Sequence, residues 1–208
     1  MPTDTFKKLS EEKKNKIIQA AKKEFARVPL AEASIKNIVE EAGIARGSFY
    51  QYFESKEDIL LYILQDQKKN LRKKLEETLE KTKGDIFKTF LAIYDTMDQE
   101  CHHHENGRFY RKIFQNIKAS EDNLFSLKME EPKQEEFYEM YQAMDTTKLK
   151  IKEKEEIALL IKMLHSITRA ALANNAMCQN KEKARKDYIQ QLQYLKYGVS
   201  TEVQEGQK

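Results

Sequence analysis

GIARGSFYQYFESKEDIL, residues 43–60, places Phe49, Tyr50, Tyr52 and Phe53 within five positions of a 208-residue chain that has no tryptophan and is 34% charged. On a helix, at about 100° per residue, the four rings span about 160°, wider than the apolar stripe of about 100° that one buried face needs. Phe49 and Phe53, four apart, occupy the centre of that arc and turn inwards. The tyrosines lie at its edges. The stretch predicts a short helix over 46–53 whose outward face carries Gly47, Ser48 and Gln51 between two hydroxyl-bearing rings.

Working outward, Ser34 caps a second short helix with Ile35, Ile38, Val39 and Ala42 at helical spacing, and Gly43 stops it. Ser10, followed by Glu11 and Glu12, opens a longer helix marked by Ile17, Ala21, Phe25 and Val28, which Pro29 ends. Two short helices joined by the tight turn Gly43-Ile44-Ala45 are the signature of a helix-turn-helix, whose second helix enters the major groove of DNA. In that reading Arg46 pairs with a guanine edge, Ser48 and Gln51 reach bases or phosphates, and Gly47 lets the backbone approach the groove. Tyr50 and Tyr52 clamp the groove walls. Lys56 adds a charge-assisted phosphate contact, and Ser34 combines capping with an anion site.

Beyond Ser55, a further cap, one helix is predicted to run to about Lys81 on a thread of Ile59, Ile63, Leu71, Leu75 and Leu79, until Gly84 breaks it. Phe87, Phe90, Leu91, Tyr94 and Met97 mark the next helix, and Phe109, Ile113, Phe114 and Ile117 another. Around Glu131-Pro132 the pattern is irregular, with one or two helices carrying Phe125, Leu127, Phe137, Tyr138 and Tyr141. Residues 154–178 hold a stripe of Ile157, Leu160, Ile161, Leu164, Thr168 and Leu172, while Ala158, Met163, Ile167 and Ala170 populate other faces. Such a helix needs two neighbours. A last helix over about 182–198 carries Ala184, Tyr188, Leu192 and Leu195. With 40% hydrophobic residues, six Gly and three Pro, the expected fold is all-α.

Charge is distributed unevenly. Residues 1–56 hold 11 Lys and Arg against 8 Asp and Glu, while the remainder holds 26 against 26, so the positive excess lies beside the helix-turn-helix, where a polyanion would bind. No apolar leader and no membrane-length apolar run is present, which points to a cytoplasmic protein.

EASIKNIVEEAGIARGSFYQYFESKEDIL, residues 32–60, resembles the DNA-binding segment of the TetR family of bacterial one-component repressors. The shared pattern is a small Ser/Thr-capped helix, a glycine turn, Lys/Arg-Gly, tyrosines around a polar residue, then Phe and Ser-Lys-Glu. The likeness covers residues 10–60, and all these features fall at fixed offsets. It implies phosphate or base contacts from Ser34, Arg46, Gly47, Ser48, Tyr50, Tyr52 and Lys56. Two positions depart from the pattern: Ala45 stands where Ser or Thr is frequent, and Gln51 where His is common. TEVQEGQK, 201–208, reads as a disordered tail; the resemblance further implies a DNA-binding domain over 1–54 and a helical effector-binding and dimerisation domain over 55–200. It implies a repressor that binds a pseudo-palindromic operator as a homodimer through its last two helices, and that a small molecule releases.

Phe90, Tyr94, Met97, Phe109, Ile113, Tyr141, Ile161, His165 and Arg169 could line one cavity. Its rings and methionine suit an apolar molecule with a polar or anionic end. A metal- or thiol-responsive regulator built on Cys101, His102, His103 and His104, with Glu105 beside them, is the alternative; consecutive helical residues diverge by about 100°, so few of these side chains converge on one ion. No cofactor is implied. Catalysis has little support, because the Glu-x-x-His at 100–103 lacks the second copy a di-iron bundle needs.

Overall fold

The computed structural model describes residues 2–103, 107–112, 142–178 and 180–198, and all regular structure among them is helical. In chain order the helices are α1 (Asp4–Lys7), α2 (Glu11–Arg27), α3 (Ile35–Ala42), α4 (Arg46–Tyr52), α5 (Lys56–Lys81), α6 (Ile86–His103), α7 (Lys154–Met177) and α8 (Lys181–Tyr197). A 3-10 turn at Leu30–Glu32 and a helical stretch at 107–112 complete the set. The expected helices around Phe125 to Tyr141, the continuation through Ile113 to Ile117, and the tail 201–208 lie outside the described residues.

Local chemistry accounts for most boundaries. The Ser10 and Ser55 hydroxyls accept from Lys13 N and Asp58 N and so open α2 and α5. Gly43, at φ +66°, closes α3: its N–H donates to Glu40 O and that of Ile44 to Val39 O, the paired bonds of a Schellman turn. Gly84, at φ +79°, makes the corner between α5 and α6, where a Cβ would stand 2.4 Å from the backbone N of Asp145.

Two cores result. The first joins α1 to α4 with the start of α5, around Ile17, Phe25, Ile38, Phe49, Phe53, Ile59 and Ile63; the second joins α6, α7 and α8 with the end of α5, around Leu79, Phe90, Tyr94, Ile161, Leu164 and Tyr188. The long helix α5 contributes to both. Phe109, expected with Phe90 and Tyr94, instead packs into the first core at 1% exposure. There the buried Lys22 ammonium lies about 6 Å from the ring centres of Phe109 and Tyr110 (6.0 and 5.9 Å), and the Tyr110 hydroxyl donates to Gln67 Oε1 of α5 at 2.8 Å. Burial pushes the Lys22 pKa down, with Asp66 opposing.

Ser34 departs from expectation as well, since its hydroxyl makes no cap bond to α3. Glu24 supplies the acceptor. Its carboxylate, 5% exposed, accepts from Ser34 N at 2.8 Å, from Arg27 Nε and Nη2 at 2.9 and 2.8 Å, and from Asn37 Nδ2 at 3.2 Å. Arg27 foremost, then Ser34 N and Asn37, hold the Glu24 pKa down to about 2 against the cost of burial. Because the folded value is depressed, this stabilisation is full above pH 4.5, the ordinary value, and is lost as pH falls towards 2. Glu24→Gln is expected to cost about 3 kcal/mol at neutral pH. In urea denaturation the gap between variant and parent should close as the pH is lowered to 2.

Candidate nucleic-acid interface

Buried rings orient α4. Phe49 and Phe53 have no exposure and Tyr52 has 5%, so the helix is pinned along one side to α1, α3 and the start of α5. The opposite side is presented to solvent: Arg46, Gly47, Tyr50 and Gln51 are exposed and Ser48 is half-buried. Nothing lies within 4 Å of where a Cβ on Gly47 would stand. Tyr50, 48% exposed, rests edge-on against Phe49 with ring centres 5.6 Å apart, which braces its hydroxyl at the rim.

The structure thus groups Arg46, Gly47, Ser48, Tyr50 and Gln51 on one outward face and separates other expected members from it. Tyr52 is a correction: its ring packs 6.0 Å from Phe6 in the first core instead of flanking the open face. Lys56 is half-buried, and its ammonium donates to the carbonyls of Ala31 (2.7 Å) and Ala33 (3.1 Å). Its first task is to tie the loop before α3 to the start of α5. Ser34, half-buried, keeps its place at the start of α3, but its N–H already belongs to Glu24. Ala45 precedes α4 without a side-chain cap, as expected where a hydroxyl is missing.

The second core holds Phe90, Tyr94 and Ile161 at 0–4% exposure, with Met97 partly buried beside them. Arg169, expected inside, is exposed; His165 keeps solvent access along one side, but its ring stands edge-on to the buried Phe90 at 5.0 Å, and desolvation there, followed by Arg169, pushes its pKa down. Sequence reasoning named Tyr94 but missed Asn175, the buried polar side chain beside it. The Tyr94 hydroxyl and Asn175 Oδ1 are buried without a well-formed hydrogen bond, although Asn175 lies close enough to Tyr94 to oppose its shift; Asn175 Nδ2 donates to Asp98 Oδ1 at 2.6 Å, and burial, then Asp98 and Asp95, push the Tyr94 pKa up to about 12. Ile113 and Tyr141 lie outside the described residues. Cys101 is buried, and burial, then Asp98 and Glu100, raise its pKa to about 12, which disfavours the thiolate that a metal or a redox signal needs. The side chains of His102, His103, His104 and Glu105 lie outside the described residues.

An α3–turn–α4 unit with a solvent-facing basic and polar α4 is that of a helix-turn-helix DNA-binding protein. Comparison with known proteins narrows this. Residues 17–63 match the model of bacterial regulatory proteins of the tetR family, and residues 85–199 match the tetracyclin repressor-like C-terminal domain; the chain belongs to the TetR family of transcriptional regulators. It is 34% identical over 92 residues to the uncharacterized HTH-type transcriptional regulator YdgC of Bacillus subtilis, a match covering 42% of this chain and 47% of that protein. It is 37% identical over 90 residues to the uncharacterized regulator YvdT of the same organism, covering 42% and 43%. The chain spans about half the length of these curated relatives. Among solved structures, the fatty acid degradation regulator FadR of Bacillus halodurans aligns over 92% of this chain and 98% of its own, with TM-score 0.68 at 19% identity. FadR of Bacillus subtilis, solved in complex with stearoyl-CoA, aligns over 89% and 99%, with TM-score 0.65 at 20% identity. At such identities the likeness is one of fold.

Gly47 separates stability from binding. Since a Cβ there meets only open space, Gly47→Ala is expected to leave the fold intact or raise its stability by about 0.5–1 kcal/mol through helix propensity. It is expected at the same time to weaken DNA binding, because the methyl would project from the solvent-facing side of α4. Thermal melting beside a fluorescence-anisotropy titration with duplex DNA checks both.

Proposed function

We propose that the protein is a ligand-released repressor that binds a pseudo-palindromic operator as a homodimer. The observation that carries this reading is the outward face of α4, where Arg46, Gly47, Ser48, Tyr50 and Gln51 stand together on a helix whose other side is locked by buried rings. Arg46 and Gln51 read base edges, Tyr50 and Ser48 hold phosphates, and Ser34 and the first turn of α3 lie along the backbone. Lys56 acts on DNA through the loop it ties. One such helix makes too few base contacts for useful selectivity, so a second copy is required.

Support for the second copy comes from the last two helices. Leu159 and Met163 on α7 are 59% and 42% exposed, and Tyr194 and Tyr197 on α8 are 52% and 72% exposed. The opposite face of α7, through Ile157, Ile161, Leu164, Thr168 and Leu172, is buried inside the chain. This is the two-sided pattern expected of residues 154–178, with one face left for the same face of a partner.

The effector is an apolar molecule with a polar end, held in the second core. The unpartnered Tyr94 hydroxyl and Asn175 Oδ1 would meet that end, and the nearby Asp98 carboxylate favours a hydrogen-bond donor over an anion there. His165 and Arg169, being exposed, give an anionic end less support than the sequence implied. The stearoyl-CoA held by the Bacillus subtilis relative makes long acyl compounds the first class to try. The protein works where DNA is, in the cytoplasm, and no helix among the described residues is long and apolar enough to cross a membrane.

Duplexes selected from a random pool by the protein itself give the test for DNA. Arg46→Ala is expected to cost about 1–3 kcal/mol on the selected duplex and little on a scrambled one, whereas Tyr50→Phe should weaken both alike. Equal losses for Arg46→Ala on both would make it an anchor instead of a reader. A stable monomer in light scattering would overturn the dimer.

For the ligand, stearoyl-CoA, hexadecanol and hexadecylamine are to be compared by thermal shift and by release of bound DNA. The expected result is a saturable rise in melting temperature with at least one of them. Tyr94→Phe should blunt that rise while leaving the ligand-free protein as stable as its parent or more so, since it removes an unsatisfied buried hydroxyl. No shift with any of the three would reject this effector class.

A further inference from the structure

Helix α4 has seven residues, no side-chain cap at Ala45 and a glycine at its second position. A helix of this length is unstable in water by itself. Its last-turn carbonyls have no partner within the helix, yet two of them are satisfied from 48 or more residues away. Thr3 Oγ1 donates to Gln51 O at 2.6 Å, and Thr3 N donates to Tyr52 O at 3.0 Å. The same hydroxyl accepts from Phe6 N at 3.4 Å and so caps α1. One side chain therefore ends α4 and starts α1, using both the donor and the acceptor capacity of its oxygen.

Phe6 makes this attachment rigid. It is 1% exposed, and its ring centre lies 4.7 Å from that of Phe53, 5.4 Å from Tyr62 of α5 and 6.0 Å from Tyr52. Pro2 is buried as well. The arm thus grips the end of α4 by two hydrogen bonds and a cluster of rings. The two outward residues nearest that end are Tyr50 and Gln51, half of the exposed set on α4.

We infer that residues 2–8 form a C-terminal clamp for the reading helix, with Thr3 and Phe6 as positioning residues that set discrimination between DNA sequences without touching DNA. This rests on the reading that α4 meets the groove. Base contacts depend on side chains held to within about 0.5 Å, whereas attraction to phosphates tolerates looser placement. Releasing the end of α4 therefore removes selectivity before it removes affinity.

The test uses the full-length chain and a duplex selected by the parent protein from a random pool, beside a scrambled duplex of the same composition, each titrated at three salt concentrations. Thr3→Val keeps the shape and the backbone N–H and removes the hydroxyl; Thr3→Ser restores it. Thr3→Val is expected to weaken binding to the selected duplex about 3–10-fold, with the scrambled duplex and the salt slope unchanged and faster amide exchange at Gln51, Tyr52 and Phe53. Thr3→Ser should return the parent ratio. Phe6→Leu, which retains an apolar plug, should reduce the same ratio.

A ratio unchanged in both Thr3→Val and Phe6→Leu, with only a lower melting temperature, would make the arm a structural element and overturn the inference. Parallel loss on both duplexes with a shallower salt slope would show that the arm touches phosphate, through Lys7 or Lys8, and would overturn it too. If the parent selects no duplex, the reading of α4 itself fails, an outcome distinct from either.

Discussion

The placement of the helix-turn-helix depends on one buried carboxylate. Glu24 projects from the last part of α2 into the start of α3, where the 3-10 turn and the loop from Pro29 to Ser34 have just reversed the chain. A charge at 5% exposure is costly unless fully paired, and here Arg27, Ser34 and Asn37 provide donors from three different places in the sequence. The bonds from Ser34 and Asn37 fix the distance between α2 and α3, while Arg27, on α2 itself, balances the charge. Because the Schellman turn at Gly43 then sets the exit of α3, and Phe49 and Phe53 set the roll of α4, the orientation of the outward face follows from that anchor.

The two cores are joined by more than their shared helix. Phe109 and Tyr110 leave the neighbourhood of α6 and insert beside Lys22 of α2, while Tyr110 bonds to Gln67 on α5. Lys74 of α5 also pairs with Glu100 of α6. These contacts link α6 to α2 by a route that bypasses the length of α5. The cation resting on two rings is an attraction of modest size, roughly 0.5–2 kcal/mol, and so is suited to being made and broken.

What was legible in the sequence was local. Ser10, Ser55 and Gly43 act within four residues of their own position, and their roles survive intact; so does the inward turn of Phe49 and Phe53, which periodicity alone requires. What was not legible spans the chain. Ser34 has the composition of a cap, but a carboxylate ten residues earlier takes its N–H. Tyr52 reads as a flank until Phe6 arrives to cover it, and nothing near Phe6 announces a partner 46 positions on. Phe109 carries the same apolar label as Phe90, and only the path of the chain between them decides that they serve different cores. His165 and Arg169 share a face at i, i+4, yet the roll of α7 by a fraction of a turn places that face outside and Leu164 and Thr168 inside.

Helix α5 is 26 residues long, or about 39 Å at about 1.5 Å per residue. Leu79 lies near one end, embedded in the second core, and Lys56 lies at the other, tied to the loop before α3. A rigid rod held at both ends in this way would convert tilt at one end into translation at the other. A tilt of about 5° at the Leu79 end carries the Lys56 end through about 3 Å, close to the rise of about 3.4 Å per nucleotide along a DNA strand. A tilt of a few degrees where α5 meets the second core would thus match about one base step at the far end of this rod.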